Sequence, residues 1–352
     1  MKPSPLIDAL RKRTSIRVAR RVLAEYRFPR GSGWDQIVEK LKDKDAAAKA
    51  DYPGLERGLS EILIASDKSL RVYQLSAGDV ATLRATVASL AIPPSGVFTT
   101  HHPYPVPDNI LSGLPPQPAV PVSKFSGQQA TGILFSSISI IEQRERLTAA
   151  QIGPTASAYD EVIGIKKIKS QTFDALIVSK SKNYAYVLTD AHIDTTQGTR
   201  NALHSNMKAA INTIAKTTVL ETSINLLPFI EPIYNSPDGA VKRLHYTTTT
   251  SSGKEEWMRG GGNCLRQELA HKAGMTVLAG GFKSYGIEIE YPLDKVHGYI
   301  PRPSLAINGT YRMTYETNPR VEDATIEGCA TQVELEETIA ELMHHISGSK
   351  SI

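Results

Sequence analysis

Apolar residues near the end of the chain fall on one helical face. Leu335, Ile339, Leu342 and Ile346 recur at i, i+4, i+7 and i+11, which predicts a helix over residues 332–346. Residues 197–216 and 263–273 also read as helices. Before and between them run short stretches rich in β-branched and aromatic residues, over 130–141, 161–168, 173–179, 184–190, 242–249, 286–291 and 304–314. The stretches 173–179 and 184–190 flank Lys-Ser-Lys-Asn, a hairpin turn signal. Hairpins outnumber strand–helix–strand alternations, so residues 122–352 are expected to form a mixed, mostly antiparallel sheet with helices packed on it.

The first 91 residues have a different pattern. Residues 13–28, 34–44 and 79–90 read as helices, and Pro53 opens another with the apolar stripe Leu55, Leu59, Ile62. One strand candidate, residues 69–76, lies among them. Between the two regions, residues 92–121 hold nine of the 21 prolines. Proline removes a backbone donor and fixes φ, so this strap is expected to be neither helix nor interior strand. It is expected to run extended, as a linker or as an arm docked through Val97, Phe98, Tyr104, Val106, Ile110 and Leu111. The fold class is therefore α+β: a basic helical domain over 1–91, a strap over 92–121 and a sheet domain over 122–352.

Charge changes the picture. Net charge is only +4 over 352 residues. Residues 1–30, however, carry nine Lys/Arg against Asp8 and Glu25, which is +7. A basic block of this kind favours a polyanionic partner: nucleic acid, a membrane surface or an acidic protein face. On a helix over 13–28, Arg13, Arg17, Arg20, Arg21 and Arg27 fall within an arc of roughly 120°. Ile16, Ala19, Val22, Leu23 and Tyr26 take the opposite side. Guanidinium forks suit phosphate oxygens, so the arginine face is a candidate nucleic-acid contact. The bland alternative is a solvated face, or pairing with Glu39, Asp43, Glu56 and Glu61. The resemblance to a helix-turn-helix is loose, because no β-hairpin follows the third helix. A second basic set comprises Lys166, Lys167, Lys169, Lys180 and Lys182, with Arg200, His204 and Lys208 every four residues along the next helix.

Other chemistry is thinner. Arg-Gly-Gly-Gly-Asn-Cys at 259–264 places three glycines before a helix but lacks a P-loop ending. Cys264 would sit in that helix's first turn, where a thiol pKa drops. His271, seven residues on, is about 10 Å away along a helix and too far to serve as its base. Asp190, His192 and Asp194 alternate at a strand end and form a possible metal corner without further ligands. Glu161, Asp174, Glu288 and Glu290 lack the spacing of a metal nuclease. Two cysteines, no apolar run of about 20 residues and no signal-like start lead us to expect a cytoplasmic protein with no membrane insertion. The expectation is a DNA- or RNA-binding protein with no cofactor, no metal and no evident catalysis. The alternatives are an interaction subunit of a larger complex with a protein partner, and a metal- or Cys-dependent hydrolase.

Overall fold

The structure, a computed structural model, describes residues 5–153, 158–191, 196–278 and 281–348. It opens with helices α1 (Pro5–Arg13), α2 (Ile16–Glu25), α3 (Trp34–Lys40), α4 (Lys44–Lys49) and α5 (Tyr52–Ala65). Ser15 separates α1 from α2. Its hydroxyl caps α2 by accepting from Val18 N at 3.4 Å, as short hydroxyl side chains do at helix starts. The single helix expected over 13–28 is thus two helices, and Arg13 belongs to the first. Asp51 caps α5 through Gly54 N, with Pro53 in the first turn as expected. Leu6, Ile7, Leu10, Val18, Val22, Leu23, Ile37, Leu55, Leu59 and Ile62 close into one core. Each such burial contributes about 2 kcal/mol.

Strand β1 (Lys68–Gln74) and helix α6 (Ala77–Ser89) follow. The strap then forms two short helices between its prolines, α7 (Val97–His101) and α8 (Asp108–Leu111), and enters strand β2 (Gln117–Ser126). The expectation of no helix here fails because both helices fit in proline-free gaps. The strap is docked: Phe98 and Val106 are buried in the sheet's larger core. Pro118 and Pro121 lie in β2, at the sheet's edge, where a missing N–H costs no ladder bond.

The remaining elements are β3 (Ala130–Arg146), α9 (Ala149–Ile152), β4 (Ile163–Ser179), β5 (Tyr184–Asp190), α10 (Gln197–Ala215), α11 (Ile230–Asn235), β6 (Ala240–Thr248), β7 (Gly253–Trp257), α12 (Leu269–Leu278), β8 (Phe282–Glu290), β9 (Ser304–Asn308), β10 (Ala324–Glu327) and α13 (Gln332–Gly348). Among the described residues, ten strands form one sheet in the order β2-β3-β4-β5-β1-β10-β9-β8-β6-β7. Every neighbouring pair is antiparallel. The chain is α+β with a helical N-terminal region, as its pattern predicts. Strand β1, expected among the head helices, lies in the middle of this sheet, between β5 and β10.

Side-chain alternation divides the core into two layers. On β5, Tyr184, Tyr186 and Leu188 join the larger layer under α11, α13 and the strap. Ala185 and Val187 face the smaller layer with Leu83 of α6 and Met207 of α10. Beyond Ile138, the eight pairs from Ser139↔Ser170 to Arg146↔Ile163 join only β3 and β4. They form a two-stranded ribbon about 25 Å long. Among the described residues, no helix is long and apolar enough to cross a membrane.

Candidate functional site

The expected arginine face separates into several environments. Arg13 is buried, and its guanidinium pairs with Asp190 and lies 4.8 Å from the centre of the Phe173 ring. Lys68, fully buried, meets the same carboxylate at 3.0 Å and donates to Phe173 O at 2.6 Å. Arg21 pairs with Glu334 at 2.8 Å and donates to Gly328 O at 2.8 Å. These two guanidiniums are closed off from an external phosphate. The helical wheel predicts otherwise because it cannot show that α13 and β5 bring carboxylates against α1 and α2. Arg17 stays exposed, with its guanidinium 3.4 Å from Arg302 O and 3.9 Å from Glu290. Arg27 is exposed as well.

Arg20 does something different. Its Nε donates to Gly31 O at 2.9 Å and its Nη2 to Ser32 O, strapping the turn after α2 onto the helix. That turn begins with a Schellman close: Phe28 N donates to Leu23 O at 2.8 Å and Arg27 N to Ala24 O at 3.3 Å. Arg27 occupies the left-handed position, with φ of 60°, where glycine is usual. The chain then runs Pro29, Arg30, Gly31, Ser32 toward α3. Ser32 N donates to Gln36 Oε1 at 2.8 Å, and Lys40 Nζ to Arg30 O at 2.6 Å. At Gly31 a Cβ would lie 2.9 Å from Ile37 Cγ1, so the turn sits on α3 as only glycine permits.

The result is a cavity of about 380 Å³ between α2, this turn and α3, lined by Arg20, Leu23, Ala24, Phe28, Pro29, Arg30, Gly31, Ser32, Gln36, Ile37, Lys40 and Tyr299. Tyr299 comes from the β8–β9 connection. Reciprocal bonds of 2.8 and 2.9 Å between Val296 and Tyr299 close a tight turn there. His297 and Gly298 sit at its centre with φ of 48° and 88°, the signature of a type I′ turn. Arg30 Cζ lies 6.0 Å from the Tyr299 ring centre. Three cations and no carboxylate line this cavity. The acids of α3 turn elsewhere: Asp35 lies 3.5 Å from Arg11, and Glu39 pairs with Lys42. The cavity therefore carries uncompensated positive charge. Arg20, Arg30 and Lys40 have more donors than their internal bonds use, which is what a phosphate group needs.

The second basic set is scattered. Lys166 and Lys167 lie in the ribbon's ladder with exposed side chains that make no hydrogen bond or ion pair with the described residues. Lys169 is committed to Ser112 O and Leu114 O at 2.8 and 2.5 Å. Lys180 holds Gly127 O at 2.6 Å, Lys182 is exposed, and Lys208 holds Glu221 O at 2.9 Å. Arg200 lies 3.3 Å from Asp323. His204, on the same stripe, is fully buried against Ser69 Oγ at 2.9 Å. Burial, with Arg71 and Arg200 nearby, holds its imidazole well below the usual pKa. That side of α10 is turned toward the sheet, so Arg200, His204 and Lys208 form no open groove wall.

Of the catalytic candidates, Cys264 is buried outside any α-helix, at the start of a 3-10 turn. Burial pushes its thiol up, but hydrogen bonds from Arg266 Nε and Val241 N hold it below the ordinary value. His271 is occupied by Tyr234 at 2.8 Å and Glu256 at 2.7 Å. Asp190 belongs to the Arg13–Lys68 cluster; His192 and Asp194 lie outside the described residues. No group of three His, Cys, Asp or Glu among the described residues is placed to hold a metal ion. A cavity of about 870 Å³ between α10 and strands β2 and β3 is mainly apolar, and Asp174 is the sole charged residue among its described walls.

Arg30, Lys40 and Tyr299 were not singled out by sequence reasoning. Arg30 counts toward the basic block, and Pro-Arg-Gly-Ser-Gly marks its turn. Nothing in the spacing ties that turn to a ring 269 residues further on. No protein-family model matches the chain, and no curated protein matches it in sequence.

Proposed function

We propose that this protein binds nucleic acid through the phosphate backbone, with the cavity of Arg20, Arg30 and Lys40 as its anchor. One observation carries this reading: three cations around about 380 Å³, with no carboxylate on the walls. Phosphates provide the matching charge, and guanidinium forks the matching geometry. Exposed Arg17 lies one turn before Arg20 on α2 and extends the cationic surface. Lys166 and Lys167 offer further contacts on the ribbon. Arg13, Arg21, Lys169 and Arg200 have structural duties instead.

Fluorescence anisotropy with labelled single- and double-stranded oligonucleotides tests the reading. Binding should weaken steeply between about 50 and 200 mM salt as counterion release is lost. A native chain that ignores every oligonucleotide at low salt refutes the proposal.

A second reading, an interaction subunit of a complex, has its own support. Helix α12 leaves Leu269 and Val277 more than four-fifths exposed, an apolar face of the kind that marks protein contacts. A stoichiometric protein that stays bound through a high-salt wash would favour it.

A further inference from the structure

The cavity has an aromatic wall as well as a charge. We infer that it takes one unstacked nucleotide of a single strand, with the phosphate on Arg20 and Lys40 and the base between Tyr299 and Arg30. This rests on the backbone-binding reading above.

The geometry favours a nucleotide over a bare phosphate. Arg30 lies over the Tyr299 ring at 6.0 Å. Stacked bases sit about 3.4 Å apart, so a base between the two planes needs about 6.8 Å. The Arg30 side chain is exposed and its guanidinium makes no hydrogen bond or ion pair with the described residues, so a movement of that side chain alone opens the slot. Aromatic rings and guanidinium planes are the two surfaces on which proteins stack splayed bases. The apolar floor, Leu23 and Phe28, suits a base and does nothing for an inorganic anion.

The geometry also favours a single strand over a duplex. A cavity of about 380 Å³ lies at the small end of ligand pockets and holds one nucleotide. In a duplex the faces of the bases are covered by their neighbours. To place a base here the duplex would have to unstack and unpair, which costs a few kcal/mol. A single strand offers its bases with a smaller penalty.

The test compares three ligands of equal length on the full chain by anisotropy: a single-stranded oligonucleotide, its duplex, and an abasic strand that keeps the phosphates. The single strand should bind at least about fivefold more tightly than the other two. Tyr299→Ala should reduce single-strand affinity to the abasic level, and Tyr299→Phe should keep it. Equal affinity for single strand and abasic strand, tighter duplex binding, or an inert Tyr299→Ala overturns the inference. Should Tyr299→Ala not fold, the comparison on the native chain still decides. Binding of all three ligands alike leaves phosphate recognition standing and removes only the base slot; binding of none removes both.

Discussion

The Arg13 guanidinium closes on the Asp190 carboxylate inside the protein, with both side chains at least 96% buried. It joins the end of α1 to the end of β5, 177 residues later in the chain. Lys68 of β1 shares the carboxylate, and Phe173 N donates to it at 3.0 Å. An arginine that looks like part of a surface charge pattern is instead an internal tie between the helical region and the sheet.

Removing that tie should be costly. Arg13→Ala leaves a buried carboxylate with one cation fewer, a loss of about 3–5 kcal/mol. Urea denaturation should show the midpoint falling by the corresponding amount. An Arg13→Ala protein as stable as the native chain would show that water reaches Asp190.

Arg27 should behave in the opposite way. It holds a left-handed backbone position, with φ of 60°, and that conformation is strained for a residue with a Cβ. Arg27→Gly should stabilise the protein by about 0.5–1 kcal/mol. Thermal melting would show the rise, with oligonucleotide affinity reduced no more than one lost surface cation explains.

Asp174 should make stability depend on pH. Its carboxyl is pushed up to about 6 by burial first and by the neighbouring Asp190 carboxylate second. Oδ1 accepts from Asp190 N at 2.9 Å and Oδ2 from the Thr172 hydroxyl at 3.0 Å. The folded chain therefore keeps a proton between pH 3.8 and about 6, a range in which the unfolded chain has released it. Stability from this group falls as pH rises through that window and is lowest above it. The change is at most about 3 kcal/mol at 1.36 kcal/mol per pKa unit. Asp174→Asn removes the titration, so the native-minus-variant difference in unfolding free energy should decrease from pH 4 to pH 6.5. A difference that does not change with pH would contradict the burial argument.

The fold was legible where a single element satisfies its own pattern. A nearly unbroken apolar run marks β5, which is buried on both faces, and the one-face apolar stripe marks α13, which packs on the larger core layer. Helix α1 was missed because its apolar residues, Leu6, Ile7 and Leu10, lead into the run of basic residues that drew the helix to 13–28. Ser15, followed by Val18, was the capping signal that divides them. Strand β10 spans only Ala324–Glu327 and is stabilised by β1 and β9, so nothing local announces it. The site was half legible. Arg20 was picked out for its charge, but the cavity depends on a turn, on Lys40 of a separate helix and on Tyr299. Side chains brought together across such distances leave no periodicity. The arginine wheel misled for the same reason: the carboxylates that neutralise Arg13 and Arg21 come from Asp190 and Glu334.

Arg30 gives the most direct test of the central claim. Its guanidinium makes no hydrogen bond or ion pair with the described residues, so Arg30→Ala should leave the melting temperature unchanged. The decisive measurement is the slope of log affinity against log salt for a single-stranded oligonucleotide, native chain against Arg30→Ala. The cavity account predicts weaker binding by the variant and a slope shallower by about 0.7–1. Identical affinity and slope in the two proteins would contradict it.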